Sequence, residues 1–307
     1  MLDTLTGFVV VGTAIFVGWI LGRTDLLGPH ARYVLSRLTF FVLSPFLLFV
    51  VLAEADVQSL FSALLPVSAI AAVTVFAVYA VVARVVWRRN MAETLIGTLS
   101  SGQVNSNNIG IPISLYLLGS AAYPAPVILL QLLVFTPVSM ALFEAITSGQ
   151  RRLLPILRRT VTNPVVVGSV LGVAVSLSGI ELPPIVMDPA RLIGDACIAV
   201  LLISYGISLH GQRVLGAAGR RRDVLLASAL KLVVMPLTAW AVARFVFALA
   251  PHDVLVITVL AALPTAQNVF NYAQRYGVGE TIARDTVFVT TVGCVPILLF
   301  IVTVLGG

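Results

Sequence analysis

The chain has 307 residues, of which 59% are hydrophobic and 10% are charged, and its net charge is +6. A soluble domain carries about 25% charged residues, so this composition, with a mean hydropathy of +1.05, excludes an ordinary soluble domain and indicates an integral membrane protein. The sequence has no metal-ligand spacing such as HExxH and no GxSxG, P-loop or GxGxxG motif, so we do not expect an enzyme.

Windows of about 20 apolar residues are long enough to cross the hydrocarbon core of a bilayer. Ten such windows follow one another along the chain, which predicts an all-α integral membrane protein with ten transmembrane helices. The predicted spans are Thr4–Leu21, Val34–Ala53, Leu60–Trp87, Glu93–Leu118, Pro124–Thr147, Pro164–Ile180, Pro189–Leu209, Val224–Ala250, Val254–Tyr276 and Thr281–Leu305.

Arginine clusters flank every second connection between these spans. The clustered residues are Arg23, Arg32, Arg37, Arg84, Arg88, Arg89, Arg151, Arg152, Arg158, Arg159, Arg213, Arg220, Arg221, Arg222, Arg275 and Arg284. Because basic loops stay on the cytoplasmic side, the alternation predicts that both termini face the periplasmic or extracellular side. It also accounts for the positive charge without nucleic-acid binding. Arg191, Lys231 and Arg244 fall outside the pattern.

The chain divides into two halves of five spans each. We assign a first five-helix repeat to residues 1–150, a basic cytoplasmic linker to 151–160 and a second five-helix repeat to 161–307. The two halves then have opposite orientations, which is the geometry of an inverted repeat. In this alignment span four corresponds to span nine, and Pro112 and Pro264 lie in equivalent helices.

Spans four and nine are each interrupted by a polar, proline-bearing stretch. The first runs from Gly102 to Pro112 and the second from Leu263 to Tyr272. Non-helical backbone inside a bilayer is tolerated only where protein or a water-filled cavity satisfies its polar groups. A pair of such breaks in corresponding segments is the best sequence indication of a transporter's binding site, so we predict the substrate site at these breaks.

Amide side chains cluster at the two breaks. They are Gln103, Asn105, Asn107, Asn108, Gln267, Asn268 and Asn271. The amino end of each half-helix carries about half a positive elementary charge, so two such ends that face one cavity favour an anionic group. The amides would supply neutral donors and acceptors to that group. The alternative is that they only satisfy the broken backbone or bond between helices.

Charged residues inside the spans are functional hypotheses by default. Asp195, in span seven, could bind a coupling cation or proton, or could bond to a neighbouring helix end. Lys231, the only lysine, could attract an anion or stand in for a fixed cation, or its side chain could extend to the cytoplasm. Asn163, which precedes Pro164, is first interpreted as a helix cap.

Several stretches of the chain resemble the auxin efflux carrier family, as in the bacterial relatives of the plant PIN-type auxin carriers. Asn105–Pro112 resembles the family's break in helix four, and Leu263–Gly277 closely resembles its helix-nine signature. Gly206–Leu209 and Lys231–Pro236 resemble parts of helices seven and eight. The ten-span layout fits the family along the whole chain.

The resemblance implies an inverted-repeat fold related to bile-acid and sodium–proton transporters, with a scaffold domain and a transport domain. It implies that helices four and nine cross at Pro112 and Pro264, and that Asn105 contacts a substrate carboxylate. It also places Asn163 in the family's Asn-Pro stretch of helix six. The long cytoplasmic loop of many plant members is reduced here to a short arginine-rich linker, so plant substrate specificity does not transfer.

We therefore predict a secondary transporter, an exporter or permease, that moves a small organic anion across the bacterial inner membrane by alternating access. The anion is a malate-like, malonate-like or auxin-like carboxylate. The expected substrate-binding residues are Asn105, Asn107, Asn108, Asn163, Lys231, Gln267 and Asn268. No cofactor is expected apart from a coupling ion, sodium or proton, at Asp195. A homodimer is expected by analogy with the fold.

Two other functions fit the same sequence features. One is a sodium- or proton-coupled symporter of the bile-acid type, for which removal of sodium would abolish uptake. The other is a membrane sensor that binds a ligand without moving it, which tracer flux into proteoliposomes would distinguish from a carrier.

Overall fold

Helices make up nearly all of the regular structure of the chain. The structure is a computed structural model that describes residues 2–55, 57–147, 162–210 and 218–306. Its α-helices in these residues are α1 (Leu2–Thr24), α2 (Ala31–Leu38), α3 (Ser44–Ala53), α4 (Val57–Val81), α5 (Met91–Gly102), α6 (Ile111–Leu118), α7 (Ala125–Leu130), α8 (Thr136–Thr147), α9 (Pro164–Ser178), α10 (Pro184–Leu209), α11 (Arg221–Ala229), α12 (Met235–Ala241), α13 (Pro251–Ala262), α14 (Asn268–Tyr276) and α15 (Glu280–Leu305). The predicted linker over 151–160 lies outside the described residues.

Six helical stretches in the described part of the chain are long and apolar enough to cross a membrane. They are Tyr33–Ala53, Leu64–Val86, Ala125–Phe143, Pro184–Ile207, Arg221–Val246 and Glu280–Leu305. Helices α9 and α13 are apolar but shorter. The chain is therefore a multi-pass membrane protein whose regular structure is helical throughout the described residues, as predicted, and the number of ten spans stays a prediction.

Four prolines explain irregular turns inside the apolar helices. Pro45, Pro112, Pro137 and Pro236 each lie two residues after a five-residue π-helical turn. These turns are Thr39–Leu43, Ser106–Gly110, Gln131–Phe135 and Leu230–Val234. Proline has no N–H to donate, and its ring clashes with the carbonyl four residues earlier. A wider turn before the proline accommodates this carbonyl, so the helix continues instead of ending.

The two halves of the chain contain a segment of the same local structure. A π-helical turn at Val82–Val86 recurs at Val242–Val246, and helix α5 recurs as α13, in each case 160 residues later. Between turn and helix, Arg88 and Ala248 both adopt positive φ, at 53° and 47°. The backbone hydrogen bonds that close the two π turns also correspond. This local match supports the predicted repeat for these segments.

The chain folds into two compact units, and each unit draws on both halves of the sequence. Unit 1 comprises residues 1–62, 107–133 and 158–212, and unit 2 comprises residues 63–106, 134–157 and 213–307. The units therefore do not coincide with the predicted repeats. The chain passes from unit 2 to unit 1 between Ser106 and Asn107, within the first predicted break.

Glycines allow the helices of unit 1 to pack closely. A Cβ atom at Gly206 of α10 would overlap the backbone of α1, and one at Gly18 of α1 would overlap the backbone of α10. Gly168 and Gly172 of α9 lie in the same way against α3. Lipid chains are as apolar as side chains, so close packing of small residues, not exclusion from water, drives helix association in a membrane.

Unit 2 is held together by a cluster of apolar side chains from α5, α8, α14 and α15. Ile96, Phe143, Val269 and Ile282 are buried members of this cluster. Phe143 stacks on Tyr276 at a centroid distance of 4.7 Å. Packing of α5 and α14 in one cluster positions the carboxyl end of α5 and the amino end of α14 within the same unit.

Candidate substrate site at the helix breaks

Both predicted breaks are present, and in unit 2 they pair with each other. Helix α5 ends at Gly102 and helix α13 ends at Ala262. Val104 and Thr265 then form an antiparallel bridge, and the Asn105 N–H donates to the Pro264 carbonyl at 2.8 Å. Each extended segment satisfies backbone groups that the other leaves free, as the apolar surroundings of a bilayer require.

Side chains bind the carbonyl groups exposed at the two helix ends. The Thr265 hydroxyl donates to the Ser100 carbonyl of α5 at 2.7 Å. The Lys231 ammonium donates to the Ala261 carbonyl of α13 at 2.6 Å and lies 3.3 Å from the Met235 Sδ. The last four carbonyls of a helix have no partner within it, so these side chains satisfy one such carbonyl at each of the two helix ends.

Helix α15 contributes one more hydrogen bond to the paired segments. The Thr290 hydroxyl accepts from the Thr265 N–H at 3.0 Å and donates to the Thr286 carbonyl at 2.7 Å. Thr290 and Thr265 are both fully buried. Thr290 therefore holds the residue that pairs with Val104. Thr290 was not among the predicted site residues, because no local pattern distinguishes it from the other threonines of α15.

Two amide groups at the first break have donors that lack a partner within the described part of the chain. These donors are the Gln103 Nε2 and the Asn105 Nδ2, which are buried, and the residues are 2% and 5% exposed. The Gln103 backbone is satisfied, since its carbonyl accepts from the Ala266 N–H at 3.0 Å. An unpaired buried donor is costly, so these two donors are suited to a ligand that only accepts hydrogen bonds.

The predicted ligands of the second break lie at the start of α14. Gln267 is half-buried and Asn268 is exposed. The Gln267 carbonyl accepts from the Phe270 N–H at 3.0 Å, which closes the first turn of the helix. Both amides thus lie beside the positive end of the helix dipole.

Other predicted site residues belong to unit 1. The Asn107 Nδ2 donates to the Asn108 Oδ1 at 3.2 Å, and the Asn107 Oδ1 is buried without a partner among the described residues. Pro112 lies in the first turn of α6, eight residues after the bridged Val104. Of the two predicted crossover prolines, Pro264 adjoins the paired segments directly.

Asn163 is the cap of α9, as first interpreted. Its Oδ1 accepts from the Val165 N–H at 2.9 Å, and Pro164 begins the helix. Asp195 lies on an exposed face of α10, four residues after Arg191. Asn163 and Asp195 both lie in unit 1, whereas Asn105, Lys231, Gln267 and Asn268 lie in unit 2.

The three basic residues outside the arginine pattern have different environments. Arg191 pairs with Glu54, and its second guanidinium nitrogen lies 3.6 Å from Asp188. Arg244 is exposed. Lys231 is fully buried, which excludes the interpretation that its side chain reaches toward the cytoplasm. Of the three, only Lys231 lies at the breaks.

Two fully buried carboxylates were not among the predicted site residues. Asp223, in the first turn of α11, accepts two hydrogen bonds from Arg89 at 2.6 and 3.1 Å and one from the Tyr79 hydroxyl at 3.4 Å. Hydrogen bonding to Asp223 raises the pKa of Arg89. Asp285 of α15 accepts from Arg284 at 2.8 Å. Asp285 lies inside predicted span ten, so its position in an apolar window could have identified it.

Comparisons with known proteins agree with a transport function. The profile of a family described as "Membrane transport protein" matches residues 5–155 and 147–302. A protein of Rhizobium meliloti (strain 1021) with the name "Putative malonate transporter" is 25% identical over 299 residues, which cover 95% of this chain and 91% of that protein.

Proposed function

Because the chain belongs to the auxin efflux carrier family of membrane transport proteins, we propose that it is a secondary transporter that binds a small organic carboxylate at the paired helix breaks. It acts as an exporter or permease, and the reaction is movement of the intact anion with no chemical change. The observation that carries the proposal is the pair of buried amide donors of Gln103 and Asn105, which have no partner among the residues that the structure describes.

A carboxylate fits these donors because of its hydrogen-bonding capacity. An ionised carboxylate only accepts hydrogen bonds, and it has about four lone-pair sites. The Asn105 and Gln103 donors would bind it, with Gln267 and Asn268 beside the α14 amino end as further ligands. Asn107, Asn108 and Asn163 lie in unit 1, and their role as further substrate-binding residues is proposed separately from the cluster of unit 2.

The name of the Rhizobium meliloti relative favours a short dicarboxylate. We propose malonate or malate as the first candidates, and an indole acid of the auxin type as the aromatic alternative. At 25% identity most residues of the two proteins differ, so the relative supports the class of anion more strongly than the individual substrate.

Alternating access would be performed by the two units. Unit 2, which contains the paired breaks, would act as the transport domain, and unit 1 would act as the scaffold in an elevator-type movement. The local match of α5 with α13 supports an inverted repeat of residues 1–150 and 161–307, the arrangement in which carriers expose a midplane site to each side in turn.

We propose that the carrier lies in the bacterial inner membrane with both termini on the periplasmic side. The alternation of arginine-rich loops with nearly uncharged ones supports this orientation. A homodimer is proposed by analogy with related folds.

The test combines binding with flux. Purified protein is screened by thermal shift against malonate, malate and indole-3-acetate, and proteoliposomes are assayed for uptake of the radiolabelled anions. Asn105→Ala should weaken the binding of whichever anion stabilises the protein by a factor of at least about ten, because a hydrogen bond to a charged group contributes about 1.5–3 kcal/mol.

Asn90→Ala is the matched control for this test. It removes an exposed amide that caps α5 by accepting from the Glu93 N–H at 2.8 Å, so it should lower stability without changing anion affinity. Equal anion affinity in wild type and Asn105→Ala, or binding without any flux, would contradict the proposal.

A further inference from the structure

We propose that the arginines around the buried Asp223 form a binding site for the headgroup of an anionic phospholipid. The site, called the arginine patch here, consists of residues 84–93 and 219–223 of unit 2. It adjoins the amino end of α5, whereas the helix break lies at the carboxyl end of α5. The inference goes beyond the proposed function and holds for any transported substrate, because its tests measure lipid binding and not transport.

Ion pairs hold the two segments of the arginine patch together. Arg89 donates to both oxygens of Asp223, at 2.6 and 3.1 Å, and to the Gly219 carbonyl at 3.1 Å. Arg220 pairs with Glu93. Asp223 is fully buried, and hydrogen bonds between charged groups are stronger than those between neutral ones. These contacts therefore fix the chain around Arg89 beside the start of α11.

The arginine patch has an excess of positive charge. Its two segments contain six arginines and two carboxylates, which gives a net charge of +4. The carboxylates are those of Glu93 and Asp223, and each pairs with one arginine. The other four arginines are exposed, and they are Arg84, Arg88, Arg221 and Arg222. Because a guanidinium group donates two parallel hydrogen bonds to a phosphate, this surface is suited to a phosphate-bearing anion.

The arginine patch lies where two apolar helical stretches meet the level of the lipid headgroups. The stretch Leu64–Val86 ends in it and the stretch Arg221–Val246 begins in it. Val85, Val86 and Leu225 are 70%, 66% and 58% exposed, so apolar surface adjoins the guanidinium groups. Basic pockets at the ends of transmembrane helices bind anionic headgroups. A ligand with both a phosphate and acyl chains fits this surface better than free phosphate does.

The repeated segment of the second half shows that the turn itself does not require arginine. Arg88 and Arg89 correspond to Ala248 and Leu249, 160 residues later. The N–H groups of Arg89 and Leu249 donate to carbonyls six residues earlier, at 2.9 and 3.0 Å. Ala248 has the same positive φ as Arg88 without a charged side chain. The charge of Arg88 is therefore not needed for the backbone conformation, and the turn can accommodate Arg88→Ala.

The first test uses the full-length wild-type protein in a non-ionic detergent. Its thermal unfolding midpoint is titrated with dioleoylphosphatidylglycerol, with the zwitterionic dioleoylphosphatidylcholine and with inorganic phosphate. We expect a saturable rise with phosphatidylglycerol alone, and a weaker one at high salt because salt screens exposed charges. No rise with phosphatidylglycerol, or an equal rise with phosphatidylcholine, would overturn the proposal. An equal rise with inorganic phosphate would overturn the assignment to a lipid.

Variants then test where the lipid binds. The patch variant combines Arg88→Ala, Arg221→Gln and Arg222→Gln. The control variant removes three exposed arginines elsewhere, through Arg23→Gln, Arg37→Gln and Arg244→Gln. A basic residue near an anionic surface contributes a factor of about five in affinity, so the patch variant should bind phosphatidylglycerol about 100-fold more weakly. The control variant should bind it like the wild type, and equal affinities of the two variants would refute the proposal.

Arg88→Ala alone gives a second measurement that does not depend on the folding of the triple variant. Ala248 shows that alanine is compatible with this turn, so the single variant should have a normal unfolding midpoint without lipid. Its affinity for phosphatidylglycerol should fall by a factor of about five. Wild-type affinity in Arg88→Ala would contradict the assignment of this residue to the lipid site.

Discussion

Replacement of Thr290 by valine tests whether α15 holds the paired breaks in position. The Thr290 hydroxyl accepts from the Thr265 N–H at 3.0 Å and donates to the Thr286 carbonyl at 2.7 Å. Valine has nearly the same shape, so the substitution removes the hydroxyl without opening a cavity. The Thr265 N–H, which is fully buried, then has no acceptor.

The expected cost follows from this unpaired donor. Leaving a buried donor unsatisfied costs about 1–3 kcal/mol. Loss of the hydrogen bond to the Thr286 carbonyl adds less to this cost. The Thr290 hydroxyl that made this bond is itself removed, so it leaves no unsatisfied donor. We therefore expect Thr290→Val to lower the free energy of unfolding by about 2 kcal/mol. Since Thr265 pairs with Val104, we also expect weaker binding of the anion beside Asn105.

The assay is thermal or denaturant unfolding in detergent, together with anion titration by thermal shift. Thr303→Val is the matched control, because the Thr303 hydroxyl is exposed and donates only to a carbonyl of its own helix at 2.8 Å. Thr290→Ser keeps the hydroxyl and should restore anion affinity. If Thr290→Val is as stable as Thr303→Val and binds the anion with wild-type affinity, the positioning role of Thr290 is refuted.

Two further predictions concern unit 1. Gly206→Ala should destabilise the protein by about 1–3 kcal/mol, because the new Cβ overlaps the backbone of α1. The control Gly12→Ala should not destabilise it, because nothing lies within 4 Å of a Cβ at Gly12. Equal unfolding midpoints of the two variants would contradict the packing argument. Asn163→Ala should lower the free energy of unfolding by about 1 kcal/mol through loss of the α9 cap, whereas Asn163→Asp should retain most of the stability because aspartate also caps helices. Unfolding midpoints compare the two variants. Anion titration then shows whether Asn163 also binds the substrate.

The positions of the breaks could be predicted from the sequence because polar residues and proline are rare in apolar windows. Gly102 and Leu263 begin the predicted stretches, and the structure ends α5 and α13 at Gly102 and Ala262. The far limits of both stretches differ, since Ser106–Gly110 is a π-helical turn that leads directly into α6 and α14 begins at Asn268, before Tyr272. A π turn relieves the proline clash within a helix, so Pro112 does not mark non-helical backbone.

The partners of the site residues could not be predicted. Lys231 was recognised as unusual from its position in an apolar span, but three roles were compatible with it. Its contact with Ala261 joins residues 30 positions apart, and the pairing of Val104 with Thr265 joins residues of the two halves. Such contacts depend on how the helices pack, and residue periodicity along one segment contains no information about them.

The sequence by itself determined a multi-pass helical membrane protein with breaks at Gly102 and Leu263. The evidence was the composition, the arginine pattern and the two polar interruptions. Each of these properties is local, and a bilayer strongly penalises polar groups that are left unsatisfied. Only the tertiary structure decided which polar groups are satisfied. It gives the Ser100 and Ala261 carbonyls side-chain donors and leaves the amide donors of Gln103 and Asn105 without partners in the described ranges, since hydrogen bonding across helices is set by their packing.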